Sequence, residues 1–242
     1  MAHGQPDFGA QAAKVTVGSL ADMAELAARL GSIVTLDRRG DVIFLEDFES
    51  PVFLWTGTGP GAGEIHRLYP GTAVMGSQCL YLETGATAGD YSAVIRRFPV
   101  TPKQRYGVEA RIQRVGIAAY YDIELWIYDG VNYHSAEWRY DRVNNRLLFL
   151  NSDGNFEEKA AGIGLPSTYN EFWPSKLVID SETMRYVRGL FAGVEYDLSG
   201  ESMYEDLSGV RPSVHISLEI NTPVNFAAGV FFDNVILTQN EP

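Results

Sequence analysis

The chain has 242 residues, of which 45% are hydrophobic and 12% aromatic, enough to fill the interior of one large domain. Nineteen Lys and Arg against 31 Asp and Glu leave a formal charge of −12, a field that repels both a phosphate backbone and an anionic membrane. Cys79 is the single cysteine, which excludes an intrachain disulfide, and no apolar run reaches the roughly 20 residues that span a bilayer.

Residues 1–18 carry Gly4, Pro6, Gly9 and Gly18 without useful periodicity and read as an extended arm. The opening MAHGQPDFGAQAAK lacks the charged and apolar blocks of a secretory signal, so either export by that route is not expected or such a signal has already been removed. Ser19–Leu30 is the one convincing helix: Ser19 caps it, Asp22 stands three residues on, and Gly31 suits its end. Leu20, Met23, Ala27 and Leu30 form its apolar stripe, and twelve residues are too few for a stable isolated helix. The helix is therefore expected to dock, with Leu20, Met23, Leu26 and Leu30 as assembly contacts.

After Gly31 the period changes to two. Ser32–Leu36 and Asp41–Leu45 flank Asp37-Arg38-Arg39-Gly40 as a hairpin would. Further strands are expected at Ser92–Phe98, Tyr106–Val115, Ala119–Tyr128, Asn132–Asp141, Arg146–Asn151, Lys176–Asp180, Met184–Phe191, Val194–Leu198, Ser213–Ile220 and Val230–Gln239. Turn signals punctuate them at Asp129-Gly130, Asn144-Asn145, Ser152–Asn155 and Ala192-Gly193. With no second helix of note, a parallel βαβ arrangement is not expected. The pattern predicts an all-β, two-sheet antiparallel jelly-roll sandwich over residues 45–242. Residues 1–44 are its N-terminal arm, short helix and hairpin, a docking or assembly element.

Three segments carry a family resemblance. Leu45-Glu46-Asp47-Phe48-Glu49 is an acidic-aromatic opening strand. Phe172–Asp180 is a tryptophan-led strand, followed by a hairpin and Ala192-Gly193-Val194-Glu195-Tyr196. Phe231–Leu237 is a closing strand. In this order they resemble the concanavalin A-like lectin/glucanase sandwich, including laminin-G-like and carbohydrate-binding modules. The resemblance implies that the opening and closing strands are adjacent and that Asp47, Glu49 and Asp233 bind a structural calcium. The alternative is that Asp233 bonds backbone amides.

Candidate chemistry concentrates at 120–126. On a strand, Tyr121, Ile123, Leu125 and Ile127 share one face, while Tyr120, Asp122, Glu124 and Trp126 share the other. Glycoside hydrolases of this fold carry Glu-x-Asp-x-Glu; here Asp122 and Glu124 match the last two positions and Tyr120 replaces the nucleophile. Two carboxyl groups must flank the bond in a retaining mechanism, so catalysis is not expected. The same face would suit a sugar, through aromatic stacking and carboxylate hydrogen bonds. The alternative is an ordinary polar outer face.

Other candidates lack context. His3, His66, His134 and His215 have no metal spacing, and Cys79 reads as a small buried hydrophobe. Ser181 and Ser199 lack a nucleophile elbow. Gly57–Gly63 has no following Lys-Ser/Thr and reads as a flexible loop. Three roles follow. The first is a non-catalytic structural or binding subunit of a larger assembly, for instance a virion decoration, head or tail protein, with protein partners. The alternatives are a carbohydrate-binding module with glycan partners, and a glycoside hydrolase or lyase. By layout alone, the arm-plus-sandwich plan resembles many virion subunits.

Overall fold

A computed structural model describes residues 37, 39–60, 63–74, 76–99, 104–115, 119–165 and 171–242. The arm over residues 1–18, the helix Ser19–Leu30 with its contacts Leu20, Met23, Leu26 and Leu30, and the strand Ser32–Leu36 all lie outside the described residues. All sixteen described strands lie within Arg39–Pro242, which is a compact unit by itself.

In chain order these are β1 (Asp41–Glu46), β2 (Thr56–Thr58), β3 (Ile65–Pro70), β4 (Gln78–Glu83), β5 (Tyr91–Pro99), β6 (Arg105–Val115), β7 (Tyr120–Tyr128) and β8 (Asn132–Asp141). They continue with β9 (Arg146–Leu150), β10 (Phe156–Ala161), β11 (Trp173–Asp180), β12 (Arg185–Phe191), β13 (Val194–Asp197), β14 (Tyr204–Leu207), β15 (Ser213–Asn221) and β16 (Gly229–Gln239). One sheet runs β13-β12-β11-β6-β16-β4-β3, with β1 also on β16. The other runs β10-β9-β8-β7-β15-β5-β2, with β14 also on β8. The opening and closing strands are thus neighbours, Glu46 lying opposite Val235.

Alternation explains the two layers. Tyr121, Ile123, Leu125 and Ile127 of β7 face inward beside Val214, Ile216, Leu218 and Ile220 of β15. Val108, Ala110 and Ile112 of β6 and Phe232, Val235 and Leu237 of β16 meet them from the opposite sheet. Trp138 lies over Gly189 of β12, where a Cβ would stand 2.9 Å from its ring, and its indole N–H donates to the Leu190 carbonyl at 3.2 Å. This close approach needs glycine. At the Ala192-Gly193 tip both residues have positive φ, the geometry that joins twisted antiparallel strands.

The C-terminus is tied down by charge. The buried Glu241 carboxylate meets Lys176 Nζ at 2.7 Å, accepts from Thr238 Oγ1 at 2.5 Å and pairs with the Arg188 guanidinium. Arg188 Nη1 also donates to the Pro242 carbonyl at 2.6 Å. Lys176, Arg188 and Glu241 are all nearly sealed from solvent.

The sequence reading needs correction at several strands. Its strand list omits β2, β3, β4, β10 and β14, none of which alternates cleanly between buried and exposed residues. β10 is a charged edge strand with most residues exposed, and β14 has four residues. Gly57–Gly63 is not wholly a loop: Thr56–Thr58 pairs with β5, and His66 Nε2 lies 3.0 Å from the Thr58 carbonyl. Cys79 is fully buried, as expected, and its thiol is pushed up to about 12 by burial and by Asp233.

Candidate functional site

Direct cross-strand pairing assembles one polar face on the second sheet. Trp126 of β7 lies opposite Ser135 of β8 and His215 of β15. Glu124 lies opposite Glu137 and Ser217, and Asp122 opposite Arg139 and Glu219. Residues opposite one another in an antiparallel pair share a face, so these side chains are neighbours by register.

A cleft opens where β8 changes partner. β9 pairs with Trp138–Asp141 and β14 with Asn132–Ser135, leaving Glu137 without a strand partner on that edge. Tyr186, from β12 of the opposite sheet, fills the break. Its hydroxyl accepts the Glu137 N–H at 3.0 Å and donates to the Leu150 carbonyl at 2.7 Å. Beyond Leu150 the chain turns through residues 151–155, where Asn151 Oδ1 accepts the N–H groups of Asp153 and Asn155, each at 3.0 Å. Gly154 has φ +76°, and a Cβ there would lie 3.1 Å from the Tyr204 ring. Glycine therefore lets the turn close against Tyr204.

The resulting cavity measures about 570 Å³. Trp126, Tyr128, Tyr133 and Tyr204 supply its aromatic wall, and Ser135, Glu137 and Asp153 its polar groups. Tyr128 and Tyr133 stack with centroids 5.8 Å apart, while Tyr204 meets Tyr133 edge-on at 6.1 Å. Two buried nitrogens have no hydrogen-bond partner, Trp126 Nε1 in the lining and His215 Nδ1 behind it on β15. Ser213 donates its hydroxyl to the Arg211 carbonyl at 3.1 Å, so His215 Nε2 must donate to Ser213 Oγ, 2.9 Å away. His215 Nδ1 is then a bare acceptor. Burial, assisted by Arg97, pushes this imidazole down to about 4, keeping it neutral at pH 7.

Beside the cleft lies a group of buried acids. Asp122, fully enclosed, accepts from Arg139 Nε and Nη2 at 2.7 Å each and from Asn221 Nδ2 at 3.1 Å. Glu124 sits against the Ser217 hydroxyl at 3.4 Å. Burial, then the charges of Glu137, Glu219 and Asp122, hold the Glu124 carboxyl well above the usual range. Burial and Asp122 push Glu137 up to about 7 and Glu219 up to about 8. Oxygens of Asp122, Glu124 and Glu219 lie within 4.8 Å of one another, the spacing of a cation site. Arg139 already engages both Asp122 oxygens, so a guanidinium supplies the positive charge there.

The face expected from the sequence is divided by the structure. Trp126 lines the cleft. Tyr120 instead lies at the other end, its ring 5.0 Å from the Arg139 guanidinium carbon. Asp122 and Glu124, 0% and 3% exposed, lie beneath the surface, where the sequence reading expected both to face a sugar. The expected calcium ligands are not gathered. Asp233 accepts the Val74 N–H at 2.6 Å and the Asn234 N–H at 2.8 Å. Glu49 accepts the Ser77 N–H at 2.7 Å and the Gln78 N–H at 2.9 Å, and Asp47 accepts the Glu49 N–H at 3.1 Å. Asp233 and Glu49 thus brace the segment before β4 from two sides. Sequence reasoning missed Glu137, Tyr133, Ser135, Tyr204 and Glu219. The alternation of Tyr133, Ser135, Glu137 and Arg139 against Ala136, Trp138 and Tyr140 was the available signal.

No family model matches the chain, and no curated protein matches it. Among solved structures, an endo-β-1,4-glucuronan lyase from the fungus Trichoderma reesei is similar at TM-score 0.53 and 10% identity, over 82% of this chain and 96% of that one. A galectin-like protein of unknown function from Bacillus subtilis has TM-score 0.53 and 11% identity, covering 84% and 97%. A Bacillus licheniformis β-glucanase has TM-score 0.48 and 9% identity, covering 81% and 98%. These likenesses concern the fold, which hosts both binding modules and enzymes and does not decide between them. Among the described residues, no helix is long and apolar enough to cross a membrane.

Proposed function

We propose that this jelly-roll sandwich, of the concanavalin A-like lectin and glucanase kind, binds glycans in the cleft over β7 and β8 and does not cleave them. The observation that carries the reading is the aromatic wall of Trp126, Tyr128, Tyr133 and Tyr204 around about 570 Å³ of space. That volume is within the usual range of ligand sites. Flat aromatic faces suit the C–H faces of sugar rings, and Ser135, Glu137 and Asp153 in the lining offer hydrogen-bonding groups to hydroxyls. The argument against cleavage is chemical. Tyr120 replaces one carboxylate of the hydrolase pattern, and Asp122 is enclosed and bound to Arg139, so that strand pattern does not set two reactive carboxyl groups across a glycosidic bond.

The test is retention of the full chain on an array of neutral, amino-sugar and uronate oligosaccharides. Wild type should be retained by at least one class, and Trp126→Ala should lose retention while keeping its melting temperature within a few degrees. Absence of retention across the array, or equal retention by Trp126→Ala, would overturn the reading. Cleavage of any arrayed oligosaccharide, lost in Glu124→Gln, would replace it with the hydrolase or lyase reading.

A second reading, a non-catalytic subunit of a larger assembly such as a virion protein, is favoured by a different observation. Val131 and Leu207, 66% and 79% exposed, sit together at one end of the β8–β14 ladder, where the Ser208 N–H donates to the Val131 carbonyl at 2.9 Å. Exposed apolar side chains in one place suit a protein partner. Sedimentation of the full chain separates the readings: an assembly subunit should form oligomers that Leu207→Asp disrupts, and a monomer at all concentrations would end that idea.

A further inference from the structure

We propose that the cleft prefers a glycan bearing a free amino group, such as a glucosamine oligomer, to a neutral or uronate-bearing one, with Glu137 and Asp153 receiving the ammonium. This inference rests on the glycan reading and names the substrate class of that same site.

The lining has an uneven charge. Its ionisable side chains besides tyrosines are two carboxylic acids, Glu137 and Asp153, and no Lys or Arg lines it. Arg139, the cation beside Glu137, is held by both Asp122 oxygens at 2.7 Å and lies 3.5 Å from the Phe156 ring centroid, which turns its charge to other partners. The aromatic wall works in the same direction. The face of each ring carries negative charge density, so Trp126, Tyr128, Tyr133 and Tyr204 attract an ammonium as well as stacking on a sugar. A uronate would meet two carboxyl groups of its own sign. A neutral sugar would keep the stacking but leave the carboxyl groups without a cation. The chain's charge of −12 adds a long-range field of the same sign.

Glu137 is suited to such a partner. Its neighbours are Glu124 across the ladder and the Ser135 hydroxyl, which donates to Oε1 at 3.1 Å. Burial holds its proton to about pH 7 in the free protein. A bound ammonium stabilises the ionised form, so amine and carboxyl share one proton across neutral pH and the pair forms without a stranded charge.

The experiment is calorimetric titration of the full chain at pH 7 and low ionic strength with three hexamers: glucosamine, glucose in β-1,4 linkage, and glucuronate. The glucosamine hexamer should bind about tenfold more tightly than the neutral one, which corresponds to about 1.4 kcal/mol, and glucuronate least. Glu137→Gln, isosteric with the protonated acid, should bring the glucosamine and neutral hexamers to near parity by weakening the glucosamine hexamer about tenfold. Attraction by overall charge would survive the loss of a single carboxyl. An unchanged preference in Glu137→Gln, or a neutral hexamer binding wild type as tightly, overturns the amino-sugar assignment while the glycan reading stands. No heat with any hexamer, together with no retention on the wider array, overturns both.

Discussion

The Tyr186 hydroxyl stands in for a strand at Glu137: it takes the Glu137 N–H at 3.0 Å and passes its own proton to the Leu150 carbonyl at 2.7 Å. A side chain from one sheet thereby completes the hydrogen bonding of the other at the point where the cleft opens. Any strand laid across the gap would fill the cavity, whereas an unfilled gap would leave a buried amide without an acceptor. Tyr186→Phe should lower stability by about 1–3 kcal/mol, the cost of leaving buried polar groups unsatisfied. Glycan affinity should fall with it, because Glu137 and Leu150 both line the cleft. Chemical denaturation and titration of the same variant check both; an unchanged midpoint would show that water replaces the phenol.

The carboxyl groups predict an unusual pH profile. Glu137 and Glu219 hold their protons to about 7 and about 8, against an ordinary 4.5. Between 4.5 and those values the unfolded chain has released these protons and the folded chain has not, so stability falls as pH rises. His215 acts oppositely: its folded value of about 4 against 6.5 costs stability as pH drops from 6.5 to 4. The two effects oppose each other below 6.5 and only the carboxyl effect remains above it. Because two raised carboxyls outnumber the one lowered histidine, thermal melts should decline from about pH 5 toward pH 8 by several degrees, taking about 2–4 °C per kcal/mol for a chain of this size. Glu219→Gln should flatten the decline. A melting temperature that rises from pH 6.5 to 8 would contradict the buried carboxyl cluster.

How far the sequence reaches is visible on β7. Tyr121, Ile123, Leu125 and Ile127 alternate cleanly with polar residues because one face is core, and that pattern is local. Whether an outward residue such as Asp122 or Trp126 is open to solvent depends on which strands flank β7 and in what register. That information is non-local. Arg139 covers Asp122 only because β8 pairs with it residue for residue, and Tyr204 reaches the cleft only because β14 returns to β8 after more than sixty residues. The adjacency of β1 and β16 was legible through family resemblance. The backbone-bonded state of Asp233 was legible as an alternative to a cation.

Asp233 offers a separable test of that alternative. Its carboxylate, fully buried, holds the Val74 N–H at 2.6 Å across the sheet. Asp233→Ala should cost about 1–3 kcal/mol by leaving that amide unsatisfied, and Asp233→Asn, which keeps a carbonyl acceptor, distinctly less. Chelator should leave the wild-type melt unchanged, because backbone amides engage Asp233, Glu49 and Asp47. A melting temperature lowered by chelator and restored by calcium would instead establish a cation bridge between the end strands.

Glu241 is the strongest single anchor the charges predict. One carboxylate serves two buried cations, Lys176 and Arg188, on two different strands; the other carboxylates near them are farther off, Glu109 at 4.0 Å from Lys176 Nζ and Glu195 at 3.9 Å from Arg188 Nε. Breaking a buried pair from one side costs about 3–5 kcal/mol, because the remaining charge has lost its solvent as well as its partner. Glu241→Ala should therefore cost far more than a substitution at an exposed surface position, which ordinarily changes little. Glu241→Gln distinguishes charge from packing. It preserves the shape and an acceptor for Thr238 Oγ1, yet should recover less than half of the loss. Equilibrium unfolding of the two variants decides the point: equal, small effects would mean that the tail merely rests on the sheet, and Lys176 and Arg188 find their charge balance elsewhere.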